Sequence, residues 1–131
     1  MARVLVVEDD FEAREAIAAR LREAHHRVVT AHDATAALTM VKQIGSPDVY
    51  VVDVGLPSMD GFEFVRRATG SQPPVPTIYM TGRAMPPRPQ PQDAPASTFL
   101  VKPFAASQLL DTIQAILDRK VADGGTIEPG W

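Results

Sequence analysis

Acids stand at the ends of two apolar runs: Glu8-Asp9-Asp10 follows one and Asp53 closes another. A third such run ends in Thr81-Gly82 and a fourth in Lys102-Pro103-Phe104. If the first two runs are neighbouring strands, several carboxylates converge on one small volume. Their repulsion in a partly dry site is costly unless a cation joins them. Oxygen-only donors with water suit Mg²⁺ or a similar hard ion and exclude a tetrahedral zinc site. A lysine and a hydroxyl across the site could hold an anion that the metal also touches. Metal, lysine, hydroxyl and backbone amides describe a phosphoryl pocket, in which a central aspartate is a candidate nucleophile.

These residues need elements to position them. Residues 3–7 (RVLVV) read as a continuous apolar strand, 27–31 as a second, 49–53 as a third, 75–80 as a fourth and 98–101 as a fifth. Between them, residues 10–24 read as a helix with Ala13, Ile17, Leu21 and Ala24 on one face. Asp33 is placed to cap a second helix, along which Ala34, Ala37, Leu38, Val41 and Ile44 recur until Gly45 stops it. Residues 61–69 form a third helix closed by Gly70, and 105–120 a last one with Leu109, Leu110, Ile113, Ile116 and Leu117 inward. Strands alternating with helices imply a parallel sheet covered on both faces, and the unbroken apolar character of strands 1 and 3 suits central positions. In such sheets ligands bind beyond the carboxyl ends of the strands, where these acids lie.

The segment TGRAMPPRPQPQDAPAS, between strands 4 and 5, departs from the alternation. A parallel crossover normally carries a helix there, yet Pro86, Pro87, Pro89, Pro91 and Pro95 crowd it, and an interior proline costs a helix about 3 kcal/mol. The crossover is expected to be extended, with at most one turn starting near Pro91. The chain as a whole has 131 residues, 45% hydrophobic, and a formal net charge of −3. Those values suit one folded domain and give no reason to expect nucleic-acid or membrane binding. Without cysteine there is no disulfide framework and no thiolate metal site. The run Val4–Val7 is too short for a signal h-region or a membrane span, and a cytoplasmic location is expected.

The order of the motifs resembles the receiver domain of two-component response regulators: an acid pair, an aspartate followed by Pro57 and Gly61, a threonine, then Lys-Pro-Phe, each after its strand. The resemblance spans roughly residues 3–119. It implies a doubly wound, flavodoxin-like α/β fold with strand order 2-1-3-4-5 and helices on both faces, the helix between strands 4 and 5 being absent or degenerate. Asp53 then matches the phosphoacceptor. Asp9 matches a direct Mg²⁺ (or Mn²⁺) ligand, Glu8 one acting through water, and the Gly55 carbonyl the main-chain ligand. Thr81 matches the hydroxyl that meets the phosphoryl group, Lys102 its cationic partner, and Phe99 the aromatic switch position. The Lys102–Pro103 bond is cis in this family. Arg83 stands where a long cation would tune hydrolysis of the acyl phosphate.

The resemblance further implies a histidine kinase or phosphotransfer protein as phosphodonor and an output protein of unknown identity. The chain is expected to act as a phosphoacceptor that switches a protein surface or drains a relay, and not as a turnover enzyme. Residues 1–120 are expected to be the receiver domain and 121–131 a flexible tail, with no DNA-binding domain after residue 120. A receiver-like adaptor that never carries phosphate is the alternative. An aspartyl-phosphate phosphatase fits less well, because Gly55 stands where that class places a second acid. Among the remaining polar residues, Asp10 reads as a helix cap, His25, His26 and His32 as surface residues, and Ser107 as a partial cap of the last helix. Met59 and Phe62 read as loop packing, and Arg66-Arg67 as a solvated helix face.

Overall fold

The computed structural model describes residues 2–70, 72–82 and 97–122. The Pro-rich segment 83–96, with Arg83 and the expectation of a missing or degenerate helix, lies outside the described residues, as do residues 123–131 of the tail expected over 121–131. The first two residues of that span, Val121 and Ala122, are instead the end of the last helix.

The element order is β1 (Arg3–Val7), α1 (Phe11–Glu23), β2 (Arg27–Ala31), α2 (Ala34–Ile44), β3 (Val49–Asp53), α3 (Gly61–Thr69), β4 (Thr77–Thr81), β5 (Ser97–Val101) and α4 (Ala106–Ala122). The five strands are parallel, in the order β2-β1-β3-β4-β5, as the resemblance implies. Strand β4 starts two residues later than the sequence suggests. Pro76, which has no N–H, precedes it, although the Pro76 carbonyl still accepts from Tyr50 N–H at 3.0 Å.

The period-2 alternation of side chains divides the core between the two faces. Val4, Val6, Val49, Val51, Ile78 and Met80 point to one face, under Leu21 of α1 and Leu109, Ile113, Ile116 and Leu117 of α4. Leu5, Val7, Tyr50, Val52 and Tyr79 point to the other, under Ala34 and Ala37 of α2 and Phe64 and Val65 of α3. Ile44, expected inward, is 42% exposed in the last turn of α2. Among the described residues no helix is long and apolar enough to cross a membrane.

Three helices begin on an aspartate whose carboxylate accepts a backbone N–H three residues on, each at 2.8 Å: Asp10 from Ala13, Asp33 from Ala36 and Asp60 from Glu63. At α4 the cap is not Ser107. Gln108 reaches back to accept the N–H of Ala105 at 3.1 Å, half of a capping box. Helix α1 ends in a Schellman motif. His26 N–H donates to Leu21 O at 3.1 Å and His25 N–H to Arg22 O at 2.9 Å, with His25 itself at φ 70°. His26 is half-buried rather than a surface residue: its Nδ1 accepts the Ala2 N–H at 3.1 Å, and burial holds its pKa below 6.5. At the amino end of the sheet the buried Asp48 accepts Arg3 N–H at 2.9 Å and pairs with its guanidinium at 3.3 Å.

Candidate functional site

Register brings the two key acids together. Strands β1 and β3 pair from Val4↔Val49 to Val7↔Val52, and continuing that register by one residue sets Glu8 beside Asp53. Both residues follow the parity of the α1/α4 face. Glu8 is fully buried, Asp53 half-buried and Asp9 exposed. Oxygens of the three carboxylates lie within 4.8 Å of one another, a donor set that a hard divalent cation could occupy.

Lys102 completes the cluster. It directly follows the edge strand β5, and its N–H donates to the Thr81 carbonyl at 2.7 Å, which ties it to the end of β4. Its ammonium crosses to Asp53 Oδ2 at 3.2 Å and makes a second, closer ion pair with Glu8 Oε1. That second pair was not legible in the sequence, where Lys102 points only to Asp53. The Lys102–Pro103 bond is cis, as the resemblance implies. Gly55 touches the Asp53 carboxylate through its N–H, which donates to Oδ1 at 2.9 Å. Thr81 is buried at the end of β4, between the strands that carry Asp53 and Lys102.

The protonation of the cluster follows from burial. Desolvation, then the hydrogen bond with Asp53, raises the pKa of Glu8 from 4.5 to about 7, with Lys102 pulling the other way. For Asp53 burial also pushes upward, but the hydrogen bonds from Glu8 and Gly55 and the charge of Lys102 outweigh it, and its pKa falls below 3.8. Lys102 loses some hydration, yet its two acidic partners raise its pKa above 10.5. The balance therefore favours the ionised form of the central carboxylate, while its buried neighbour Glu8 bears the cost of crowding. A divalent cation would relieve that crowding, so the residues present fit one.

Two further elements fix the position of Asp53. Val54 N–H donates to Met80 O at 2.9 Å, and Gly61 N–H to Val54 O at 3.0 Å. Gly61 starts α3 so close to the strand that a Cβ there would stand 2.7 Å from the Asp53 carbonyl oxygen. The sequence marks Gly61 only as a turn residue. Phe99 is half-buried, with its ring stacked on Tyr79 at 5.5 Å and 27°. Phe62 and Met59 pack on the α2/α3 core as expected. Arg66 and Arg67 are not merely solvated, since both pair with Glu63, at 2.7 and 2.8 Å.

Fold and site together define a doubly wound α/β domain with an ionised aspartate among oxygen donors and a lysine at the strand ends. Residues 4–114 match the response regulator receiver domain, and the chain belongs to that family. The response regulator MprA of Mycobacterium tuberculosis is 37% identical over 118 residues, which are 89% of this chain and 51% of that protein. The chain thus spans about half the length of the curated relatives it matches. Among solved structures, chemotaxis protein CheY4 of Vibrio cholerae has a TM-score of 0.77 at 33% identity, covering 88% of this chain and 98% of that one. The receiver domain of hybrid histidine kinase CckA has a TM-score of 0.74 at 28% identity, covering the same 88% and 98%.

Proposed function

We propose that Asp53 accepts a phosphoryl group from a phosphohistidine on a kinase or phosphotransfer protein, and that the resulting acyl phosphate switches a protein-contact surface or drains a relay. The observation that carries this is the meeting of an ionised Asp53 with Glu8, Asp9 and Lys102, in a chain of the receiver family. A carboxylate oxygen of Asp53 forms the new O–P bond as the P–N bond to the donor imidazole breaks, and the imidazole leaves neutral, taking a proton from solvent where it needs one. Mg²⁺ or Mn²⁺, held by Glu8, Asp9, Asp53 and the Gly55 carbonyl, would neutralise charge on the phosphoryl oxygens.

The chain's own groups do the rest. Gly55 N–H holds one carboxylate oxygen of Asp53, leaving the carboxyl little freedom to turn. Lys102 supplies a cation that can pass from the carboxylates to the incoming oxygens. Thr81 supplies a hydroxyl at the end of β4, the strand beside the one that Lys102 follows. A phosphoryl group adds about −1.5 to −2 of charge, and only contacts made better in the switched state bias the equilibrium. The chain is then a phosphoacceptor in the cytoplasm and not a turnover enzyme; Arg83 would slow hydrolysis of the acyl phosphate.

The test is to add beryllium fluoride with Mg²⁺ and follow the amide NMR spectrum, with Asp53→Asn as control. Shifts at residues 53–55, 81–82 and 97–102 in the wild type and none in the variant are expected. An unchanged wild-type spectrum would refute the reading and favour a receiver-like adaptor that carries no phosphate.

A further inference from the structure

Phe62 stands where two chains of contact meet. On one side its neighbour Gly61 is wedged against Asp53, with room for no side chain between them. On the other its ring lies 4.5 Å from Tyr79, at 43°, and 6.0 Å from Phe99, at 56°. Tyr79 and Phe99 are register partners on β4 and β5, and their rings stack. Three residues beyond Phe99, Lys102 returns to Asp53 at 3.2 Å. The contacts close a ring: Asp53, Gly61, Phe62, the Tyr79–Phe99 stack, Lys102 and Asp53 again.

Burial separates this group from ordinary core packing. Tyr50 and Phe64 make an edge-to-face pair at 5.4 Å and both are fully buried, so neither ring has anywhere to go. In the trio only Tyr79 is fully buried, while Phe62 and Phe99 are partly buried rings lying against it. Tyr79 is thus the buried plate against which the two partly buried rings of Phe62 and Phe99 lie. Tyr79 and Thr81 share a face of β4, and their register partners Phe99 and Val101 share the same face of β5.

We propose that Phe62, through Tyr79, holds Phe99 in its resting orientation, so that the first turn of α3 is coupled to the state of Asp53 and moves with it. The inference rests on the phosphoacceptor reading above and adds a positioning residue to it. A stack that belongs to the unmodified chain resists any ligand that moves Phe99, and an aromatic pair shifts such an equilibrium about two- to tenfold.

The experiment titrates beryllium fluoride, at saturating Mg²⁺, into the full chain and its Phe62→Leu, Phe99→Leu, doubly substituted and Phe62→Tyr variants. Phe62→Leu is expected to tighten binding about two- to tenfold, to lose that effect in the Phe99→Leu background, and to be reversed by the ring-preserving Phe62→Tyr. Equal effects in both backgrounds, no effect, or weaker binding in Phe62→Leu would overturn the inference while leaving phosphorylation of Asp53 intact. A wild type that does not bind beryllium fluoride at all removes the phosphoacceptor reading and this inference with it. Should a leucine variant not fold, fluorophenylalanine labelling of the wild type decides the matter. The Phe62 and Phe99 resonances are expected to move together on binding, and a Phe62 resonance that stays fixed while Phe99 moves overturns the coupling.

Discussion

Replacing Gly61 by alanine separates two effects that usually travel together. Alanine is the better helix former, by at most about 1 kcal/mol and less at the first position of a helix. Against that, its Cβ would stand 2.7 Å from Asp53 O, 2.9 Å from Val52 Cγ1 and 3.2 Å from Val54 Cα. Two of these are backbone atoms held by hydrogen bonds from neighbouring elements. The first gap must open by at least 0.3 Å to reach 3.0 Å, below which Cβ contacts essentially do not occur. Overpacking of this kind costs about 1–3 kcal/mol, so Gly61→Ala is expected to lower the unfolding free energy by about 1–2 kcal/mol. Because the peptide that moves is that of Asp53, phosphorylation by a small phosphodonor is expected to slow about tenfold. Urea titration and the initial rate of acyl-phosphate formation read the two effects. Gly45→Ala is the control. Nothing lies within 4 Å of that Cβ, and φ is +88°, so it costs about 1–3 kcal/mol through backbone strain alone and leaves the phosphorylation rate unchanged. A Gly61→Ala protein as stable as the wild type and phosphorylated at the same rate would refute the reasoning.

Asp48→Asn leaves the Arg3 guanidinium without its buried carboxylate and is expected to cost about 2–4 kcal/mol in urea unfolding, with no change at Asp53. In the metal-free protein the raised pKa of Glu8 stabilises the fold fully below about pH 4.5. That contribution, about 3 kcal/mol, is lost as pH rises through about 7. Glu8→Gln should therefore be more stable than the metal-free wild type at pH 8, and equal stabilities there would contradict the assignment. His25→Gly relieves a side chain at φ 70° and is expected to raise stability by up to about 1 kcal/mol, read by thermal unfolding.

The alternation of elements was legible because strands β1 and β3 are unbroken apolar runs and their termini are charged, a contrast that survives any packing. The meeting of Glu8 and Asp53 follows from the same pattern once β1 and β3 are neighbours, since period 2 carries Val4-Val6-Glu8 and Val49-Val51-Asp53 to one face. What the sequence conceals depends on distance across the fold. The closer partner of Lys102 is Glu8, 94 residues away, because an edge strand brings the lysine over both acids. Gly61 reads as a turn glycine, yet it is required by the approach of α3 to β3. His26 reads as a surface histidine, yet its ring accepts the N–H of Ala2, 24 residues away in the chain. Gln108 replaces the expected Ser107 because a glutamine at the third helical position can reach back to an uncapped N–H, while the Ser107 side chain starts one residue too early.

The most direct test is to locate the acyl phosphate itself. The protein is treated with a small phosphodonor and Mg²⁺, reduced with borohydride to trap any acyl phosphate, digested and analysed by mass spectrometry. Reduction at residue 53 alone, lost in Asp53→Asn and on chelation of the metal, is the predicted result. Labelling that persists in Asp53→Asn at wild-type extent, or an unlabelled Asp53 in a folded, Mg²⁺-loaded protein, would contradict it.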